Sequence, residues 1–158
     1  MAQGQDTLDV AIAVAESLVR AGFEPELRWP NDILVSGRKV GGILCELELG
    51  PQAAVVVGIG INVNGQDFPA ELEGIATSLL LAGHEPVETS VIETSLIARL
   101  QSQLARYEHA RTPDLDTYLR YFRMIGRPVH LSTGAMGTVE GIAEDGGLKV
   151  SVDGQTRV

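Results

Sequence analysis

One stretch of the chain limits its possible fold more than any other. Residues 27–47 read LRWPNDILVSGRKVGGILCEL and combine strand-like alternation with several conformationally special residues. Leu27 and Trp29 alternate with polar neighbours, which predicts a half-buried strand. Pro30 has no N–H to give to a sheet ladder and should end that strand. The stretch therefore predicts a strand that leads directly into a turn.

The second half of the stretch predicts a hairpin. Residues 33–35 form a short apolar run, and Ser36-Gly37 follows as a turn signal. A third strand is expected over residues 40–49, with Gly41 and Gly42 near its start. Two adjacent glycines in a strand indicate a bulge or a group that lies close against the backbone. The base of the hairpin is expected to gather five residues: Trp29, Asn31, Asp32, Lys39 and Gly42.

Two interpretations fit this hairpin. Taken one at a time, its special residues fit a structural hairpin with a solvated basic tip. Taken together, they favour a binding site, because packing alone does not require so many special residues in so short a span.

The same residues resemble a known enzyme family. Residues 28–47 are similar to the catalytic-core segment of biotin–protein ligases, in which Lys-Trp-Pro-Asn-Asp is followed by a short turn and then by Lys-(small or apolar)-Gly-Ile-Leu. Residues 55–63 resemble the family's strand ending in Gly-x-Gly-x-Asn, and residues 76–79 resemble its Thr-Ser-Leu turn. The resemblance covers nearly the whole chain, but only part of the family's length.

The resemblance implies an α+β fold in two parts. Residues 1–125 would form the C-terminal part of the class II synthetase-like biotin ligase core, a partial mixed β-sheet with helices packed on one face. Residues 126–158 would form a small, partial β-barrel. Gly126-Arg127-Pro128 marks the expected boundary, because short strands between turns follow it.

Periodicity and turn residues predict the individual elements. Residues 1–6 are polar and are expected to be frayed. Helices are predicted over residues 7–21, 75–81, 89–109 and 114–124. A strand over residues 52–61 contains three consecutive valines and is expected to be buried on both faces. After the boundary, strands are predicted at 129–131, 137–143, 148–152 and from 156 onward, with two-residue turns at Gly146-Gly147 and Asp153-Gly154.

Composition and charge exclude several classes of protein. The net charge of −9 argues against non-specific nucleic-acid binding. We find no apolar run of membrane-spanning length and no signal-peptide pattern. The single cysteine, Cys45, fits a reducing compartment, so a cytoplasmic protein is expected. His84 and His109 stand alone in polar settings, and we expect no metal site built from protein ligands.

The reaction that the resemblance implies is a two-step acyl transfer. The biotin carboxylate attacks the α-phosphate of ATP, which gives biotinyl-5′-AMP and pyrophosphate. A lysine of a biotin carboxyl carrier domain, belonging to a biotin-dependent carboxylase, then attacks the mixed anhydride. Mg²⁺ would accompany ATP. Such chemistry needs positioning and fixed positive charge rather than a protein nucleophile.

The resemblance also implies roles for individual residues. Lys39 would be catalytic and would contact both the biotin carboxylate and the α-phosphate. Arg28, where the family usually has Lys, would supply charge to a phosphate. Gly42 and Gly58 would bind biotin together with Lys39. The nucleotide would be bound by Arg28, Trp29, Asn31 and Asn62. Trp29 fits a core anchor equally well, and Asn62 could simply close a turn.

Two segments of the family do not occur in these residues. They are a Gly-Arg-Gly-Arg-x-Gly-Arg loop and a Ser-Thr-Asn segment, both of which lie upstream of the first helix in the family. We therefore expect the C-terminal part of such an enzyme, with weak biotin affinity when alone and with an unpaired sheet edge. The alternatives are a lipoate ligase and a non-catalytic binding or assembly module of the same fold. Because members of the family often dimerise along a sheet edge, the resemblance is also compatible with a homodimer.

Overall fold

A long helix, α1 (Ala2–Arg20), organises the first half of the fold. The computed structural model describes residues 2–49, 54–110 and 112–158. Residues 10–15 of α1 are all buried, because the helix is enclosed by a sheet on one side and by further helices on others. The prediction that residues 2–6 are frayed was wrong. Ala and Gln are good helix formers, and a polar first turn is compatible with a solvated helix start.

The first sheet has four strands, and each strand pairs antiparallel with the next along the chain. They are β1 (Pro25–Arg28), β2 (Asp32–Val35), β3 (Arg38–Glu48) and β4 (Ala54–Ile61). The α+β class is confirmed, but these strands do not form a mixed sheet. Short turns join β1 to β2 and β2 to β3, and short turns permit only antiparallel neighbours. Among the described residues, parallel pairing is confined to two isolated bridges, Leu27 with Phe122 and Lys39 with Ala76.

The β4 strand lies at the edge of this sheet. Among the described strands it pairs only with β3. Val55, Val56 and Val57 are 39%, 47% and 39% exposed, so the prediction of a strand buried on both faces was wrong. A run of β-branched residues favours a strand but does not fix how many neighbours that strand has.

The helices after β4 cover α1. A 3₁₀ turn (Ala70–Leu72) and a short helix, α2 (Leu79–Gly83), precede α3 (Thr89–Ala110) and α4 (Leu115–Tyr121). Both α3 and α4 pack on α1, which in turn packs on the sheet, and α4 also contacts β1 directly. The helix predicted over residues 75–81 begins only at Leu79, because Ile75 and Thr77 bond their backbones to Lys39 instead.

The second sheet is an antiparallel meander. Its strands are β5 (Pro128–His130), β6 (Met136–Ile142), β7 (Leu148–Val152) and β8 (Gln155–Arg157). Within residues 112–158, β5 and β8 do not pair with each other, so the sheet is open, as a partial barrel would be. The two-residue turn at Asp153-Gly154 is confirmed, with positive φ at both positions. The other predicted turn was wrong, because five residues, 143–147, separate β6 from β7.

Candidate functional site

A β-bulge at the start of β3 creates the candidate site. Gly41 pairs with Ile33 and Lys39 pairs with Leu34, so Val40 is an extra residue in the strand. In a regular strand, residues three apart point to opposite faces. The bulge reverses this alternation and places Lys39 on the same face as Gly42. A Cβ atom added to Gly42 would lie 3.5 Å from Cε and 3.6 Å from Nζ of Lys39.

The backbone of Lys39 is fixed on its second edge by residues 75–77. The Lys39 N–H donates to the Ile75 carbonyl at 2.8 Å, and the Thr77 N–H donates to the Lys39 carbonyl at 2.8 Å. Thr77 and Ser78 are buried polar residues, and Ser78 caps α2 by accepting from the Leu81 N–H. Sequence reasoning had matched residues 76–79 to the family but had given them no role. Their role is to hold the strand that carries Lys39.

The ammonium of Lys39 forms an ion pair with the carboxylate of Asp32, and the two side chains are 45% and 25% exposed. Asp32 lies directly opposite Gly42 on β3 and opposite Arg28 on β1. Paired residues in adjacent strands share a face, so Arg28, Asp32 and Gly42 lie in one row across three strands. The positive charge of Lys39 is therefore held by its neighbour but remains accessible from solvent.

Glycines form a flat surface beside this ion pair. Gly42 pairs with Gly60, and Gly58 pairs with Leu44 on the same face, which we call the outer face because it points away from α1. A Cβ atom at Gly60 would meet nothing within 4 Å, and one at Gly58 would make only ordinary contacts. The outer face therefore has bare backbone next to Lys39. Gly60 belongs to the same Gly-x-Gly match as Gly58, and its pairing with Gly42 places it on this face.

Gly41 has a different role from Gly42. A Cβ atom on Gly41 would lie 2.5 Å from the backbone oxygen of Gly60, closer than real Cβ contacts allow. Gly41 is thus required by the packing of the two strands, whereas Gly42 leaves space on the outer face.

Asn31 and Asn62, which the family resemblance assigns to the nucleotide, both form side-chain hydrogen bonds with the backbone. The Asn31 side-chain amide donates to the Ile43 carbonyl at 2.9 Å, and the backbone carbonyl of Asn31 accepts from the Ile43 N–H at 3.0 Å. The Asn62 amide donates to the Thr77 carbonyl at 3.2 Å. Each residue therefore braces the end of a strand beside the site. In the part of the chain that the structure describes, neither side-chain oxygen accepts a hydrogen bond, so both remain available as acceptors.

Trp29 turns toward the second sheet rather than toward Lys39. Its indole Nε1–H donates to the Gly146 carbonyl at 3.0 Å. The ring is half-buried and packs against the main core. It also borders a cavity of about 240 Å³ together with Asn31 and Leu44. Trp29 thus links the first sheet to the loop between β6 and β7.

The described residues contain neither a protein-built metal site nor a membrane-spanning helix. No group of three His, Cys, Asp or Glu side chains is arranged to hold a metal ion in residues 2–49, 54–110 and 112–158. Over the same ranges, every helix is too short or too polar to cross a membrane.

Both the sequence and the fold of this chain are similar to those of known protein ligases. Residues 4–64 match the model of the biotin/lipoate A/B protein ligase family. The bifunctional ligase/repressor BirA of Bacillus subtilis is 39% identical in an alignment 115 residues long that covers 69% of this chain and 35% of that protein. The biotin–[acetyl-CoA-carboxylase] ligase of Mycobacterium tuberculosis is 33% identical in an alignment 162 residues long that covers 100% of this chain and 58% of that protein. The chain thus spans between a third and three fifths of these relatives.

The fold is also similar to that of a solved structure. The biotin protein ligase from Aquifex aeolicus in complex with biotin and ATP has a TM-score of 0.85 and 26% identity. The match covers 98% of this chain and 67% of that one.

Proposed function

Because the chain belongs over residues 4–64 to the biotin/lipoate A/B protein ligase family, we propose that it provides the lysine-bearing half of a biotin–protein ligase site. The single observation that supports this most strongly is the bulge that places Lys39 over Gly42. In the proposed reaction, ATP and biotin form biotinyl-5′-AMP, and biotin then passes to a lysine of a carboxyl carrier domain.

Lys39 is the proposed catalytic residue. Formation of the mixed anhydride brings a carboxylate and an α-phosphate together, so two anions must approach each other. A fixed cation between them lowers the cost of that approach, and it costs no reorganisation at the moment of reaction. Asp32 holds the ammonium on the outer face before the substrates arrive. The bonds from residues 75–77 keep the backbone beneath it from shifting.

The glycine surface is the proposed seat of biotin. A ring system can lie directly against the backbone only where side chains are absent. Gly42, Gly58 and Gly60 provide such a surface beside the Lys39 ammonium. Biotin bound there would present its carboxylate toward Lys39.

The nucleotide would extend from Lys39 across the row to Arg28. Arg28 is exposed and lies opposite Asp32, so its guanidinium could form a fork with phosphate oxygens. Asn31 and Asn62 would contribute mainly by shaping the site, because their amide nitrogens already bond to backbone. Mg²⁺ would enter with the nucleotide phosphates, since the described residues offer it no ligand group of three.

Two alternatives differ in what the site would bind. A lipoate ligase shares the family, but the Mycobacterium tuberculosis relative and the Aquifex aeolicus structure compared above are both named for biotin. A non-catalytic assembly module would keep the fold without binding the adenylate. Isothermal titration of the full chain with biotinyl-5′-AMP and with lipoyl-5′-AMP separates the three. The proposal predicts heat with the biotin adenylate that exceeds the heat with the lipoyl adenylate. An equal or reversed preference contradicts biotin specificity, and no heat with either supports the assembly module.

A further inference from the structure

Three arginines meet in one cleft between the two sheets. Arg28 from β1 and Arg123 and Arg127 from the segment after α4 line a cavity of about 230 Å³. We call it the basic cleft. Three of the chain's 12 Lys and Arg residues therefore line one small cavity, although the chain as a whole carries a net charge of −9. Glu26 is the one carboxylate in its lining.

Backbone pairing places these arginines together. The isolated bridge between Leu27 and Phe122 is parallel, so the residues that follow them, Arg28 and Arg123, run side by side. Neighbouring strands lie about 4.8 Å apart, so two guanidiniums on adjacent parallel positions can reach one ligand. The proximity of Arg28 and Arg123 is thus a consequence of sheet pairing.

Arg127 is held beside this pair by its own contacts. Its Nε–H donates to the Arg123 carbonyl at 3.0 Å. Its backbone carbonyl accepts from the Val139 N–H at 3.0 Å, and the Gly126 N–H donates to the Val139 carbonyl at 2.8 Å. The segment is therefore anchored to β6, and the terminal N–H groups of Arg127 remain available to a ligand.

None of the three guanidiniums forms an ion pair with a carboxylate in residues 2–49, 54–110 and 112–158. Like charges in one cleft repel each other, and an anion with several oxygens relieves that repulsion while it accepts several charge-assisted hydrogen bonds. A single carboxylate would leave most of these donors unused. The lining thus suits an anion with more than one negative charge.

We propose that the basic cleft binds a polyphosphate anion. Its arginines come from β1 and from the segment between α4 and β5. This inference deepens the proposed function and rests on it for the source of the anion, which is either the β- and γ-phosphates of bound ATP or the pyrophosphate that the reaction releases. The position fits, because Arg28 lies opposite Asp32 in the sheet and Asp32 forms the ion pair with the Lys39 ammonium. The α-phosphate at Lys39 would then direct the remaining phosphates toward Arg123 and Arg127.

The test is isothermal titration of the full chain with inorganic pyrophosphate, without biotin. Arg123→Gln and Arg127→Gln each remove one guanidinium and should weaken binding roughly ten- to hundredfold. The matched control is Arg157→Gln on β8, at the edge of the second sheet opposite to β5, and it should leave the affinity unchanged. Far-UV circular dichroism and thermal melts confirm that each variant is folded.

The outcomes identify the source of the anion. If ATP displaces pyrophosphate, the cleft binds the β- and γ-phosphates of the nucleotide. If ATP does not displace pyrophosphate, the cleft binds the free anion. An absence of saturable binding, or an equal loss in the Arg157→Gln control, overturns the proposal. This result is separable from failure of the proposed function, because biotinyl-5′-AMP binding is measured in its own titration.

Discussion

The indole N–H of Trp29 donates a hydrogen bond to the Gly146 carbonyl at 3.0 Å, across 117 positions of sequence. Trp29 is followed by Pro30 and then by Asn31, which forms two hydrogen bonds with Ile43 at the start of β2. Gly146 has φ of +86°, and its loop is braced by the bond from its N–H to Ala143 at 2.9 Å. A rigid loop of the second sheet therefore meets the strand end beside the candidate site.

Replacement of Trp29 tests this link. Trp29→Phe keeps an aromatic ring but removes the donor, and it should lower the free energy of unfolding by about 0.5–1.5 kcal/mol. Trp29→Ala also removes the ring contacts and should cost more, but less than the ~3–5 kcal/mol of a fully buried aromatic residue, because the ring is half-buried. Urea unfolding should be followed by circular dichroism, since Trp29 is the sole tryptophan. A Phe variant as stable as the parent would show that the bond contributes nothing.

Gly41 and Gly42 form a matched pair that separates packing from binding. Gly41→Ala forces a Cβ to within 2.5 Å of the Gly60 oxygen and should destabilise the fold by about 1–3 kcal/mol. Gly42→Ala makes only ordinary contacts, so its stability should stay within about 1 kcal/mol of the parent. The added methyl group occupies the outer face and should weaken biotinyl-5′-AMP binding at least about tenfold. Loss of stability in Gly42→Ala but not in Gly41→Ala would reverse these assignments.

Asp9 predicts a pH dependence of stability. Burial raises the pKa of its carboxyl group, although the backbone bond from Asp114 and the charge of Arg106 act in the opposite direction. The folded state then holds the proton more tightly than the unfolded state does. Stability from this group is therefore present below the unfolded pKa of about 3.9 and is lost as the pH rises through the raised pKa.

Two variants check the sign of this effect by urea unfolding at a series of pH values. Asp9→Asn removes the titrating group and should flatten the decline of stability above pH 4. Arg106→Gln removes the cation that favours the ionised form and should make the decline steeper. An Asp9→Asn variant whose stability falls with pH as steeply as the parent's would exclude Asp9 as the cause.

Local sequence predicted the hairpin well because its signals are local. Pro30, Ser36-Gly37 and the apolar runs each act within a few residues, and the structure has β1, β2 and β3 where those residues required them. The glycine pair indicated either a bulge or a close approach. The structure contains both, since Val40 is the bulged residue and Gly41 approaches Gly60.

The remaining features depend on contacts that no local pattern reports. The three valines of β4 favour a strand, but their exposure depends on which neighbours the sheet has. The bonds of Lys39 to residues 75–77, and the meeting of Arg28 with Arg123, join segments that are far apart in sequence. Asn31 and Asn62 were expected to face a ligand, and the family resemblance alone could not show that their amides bond to backbone.

Lys39 and its neighbour Arg38 provide the most direct test of the proposed site. We expect the loss of the Lys39 ammonium to lower the adenylation rate about a hundred- to a thousandfold. This rate is measured in a catalytically complete relative that carries the change equivalent to Lys39→Ala. In this chain Lys39→Ala should leave the melting temperature nearly unchanged, because an exposed ion pair such as Lys39–Asp32 contributes about 0–1 kcal/mol.

The deciding measurement is the dissociation constant of biotinyl-5′-AMP, by isothermal titration, for the parent chain, Lys39→Ala and Arg38→Ala. Arg38 is the adjacent base on β3 and serves as the control for lost positive charge. We predict that Lys39→Ala loses at least about tenfold in affinity while Arg38→Ala stays close to the parent. Equal losses in both variants, or an unchanged affinity in Lys39→Ala, would contradict the assignment of the site to the Lys39 ammonium.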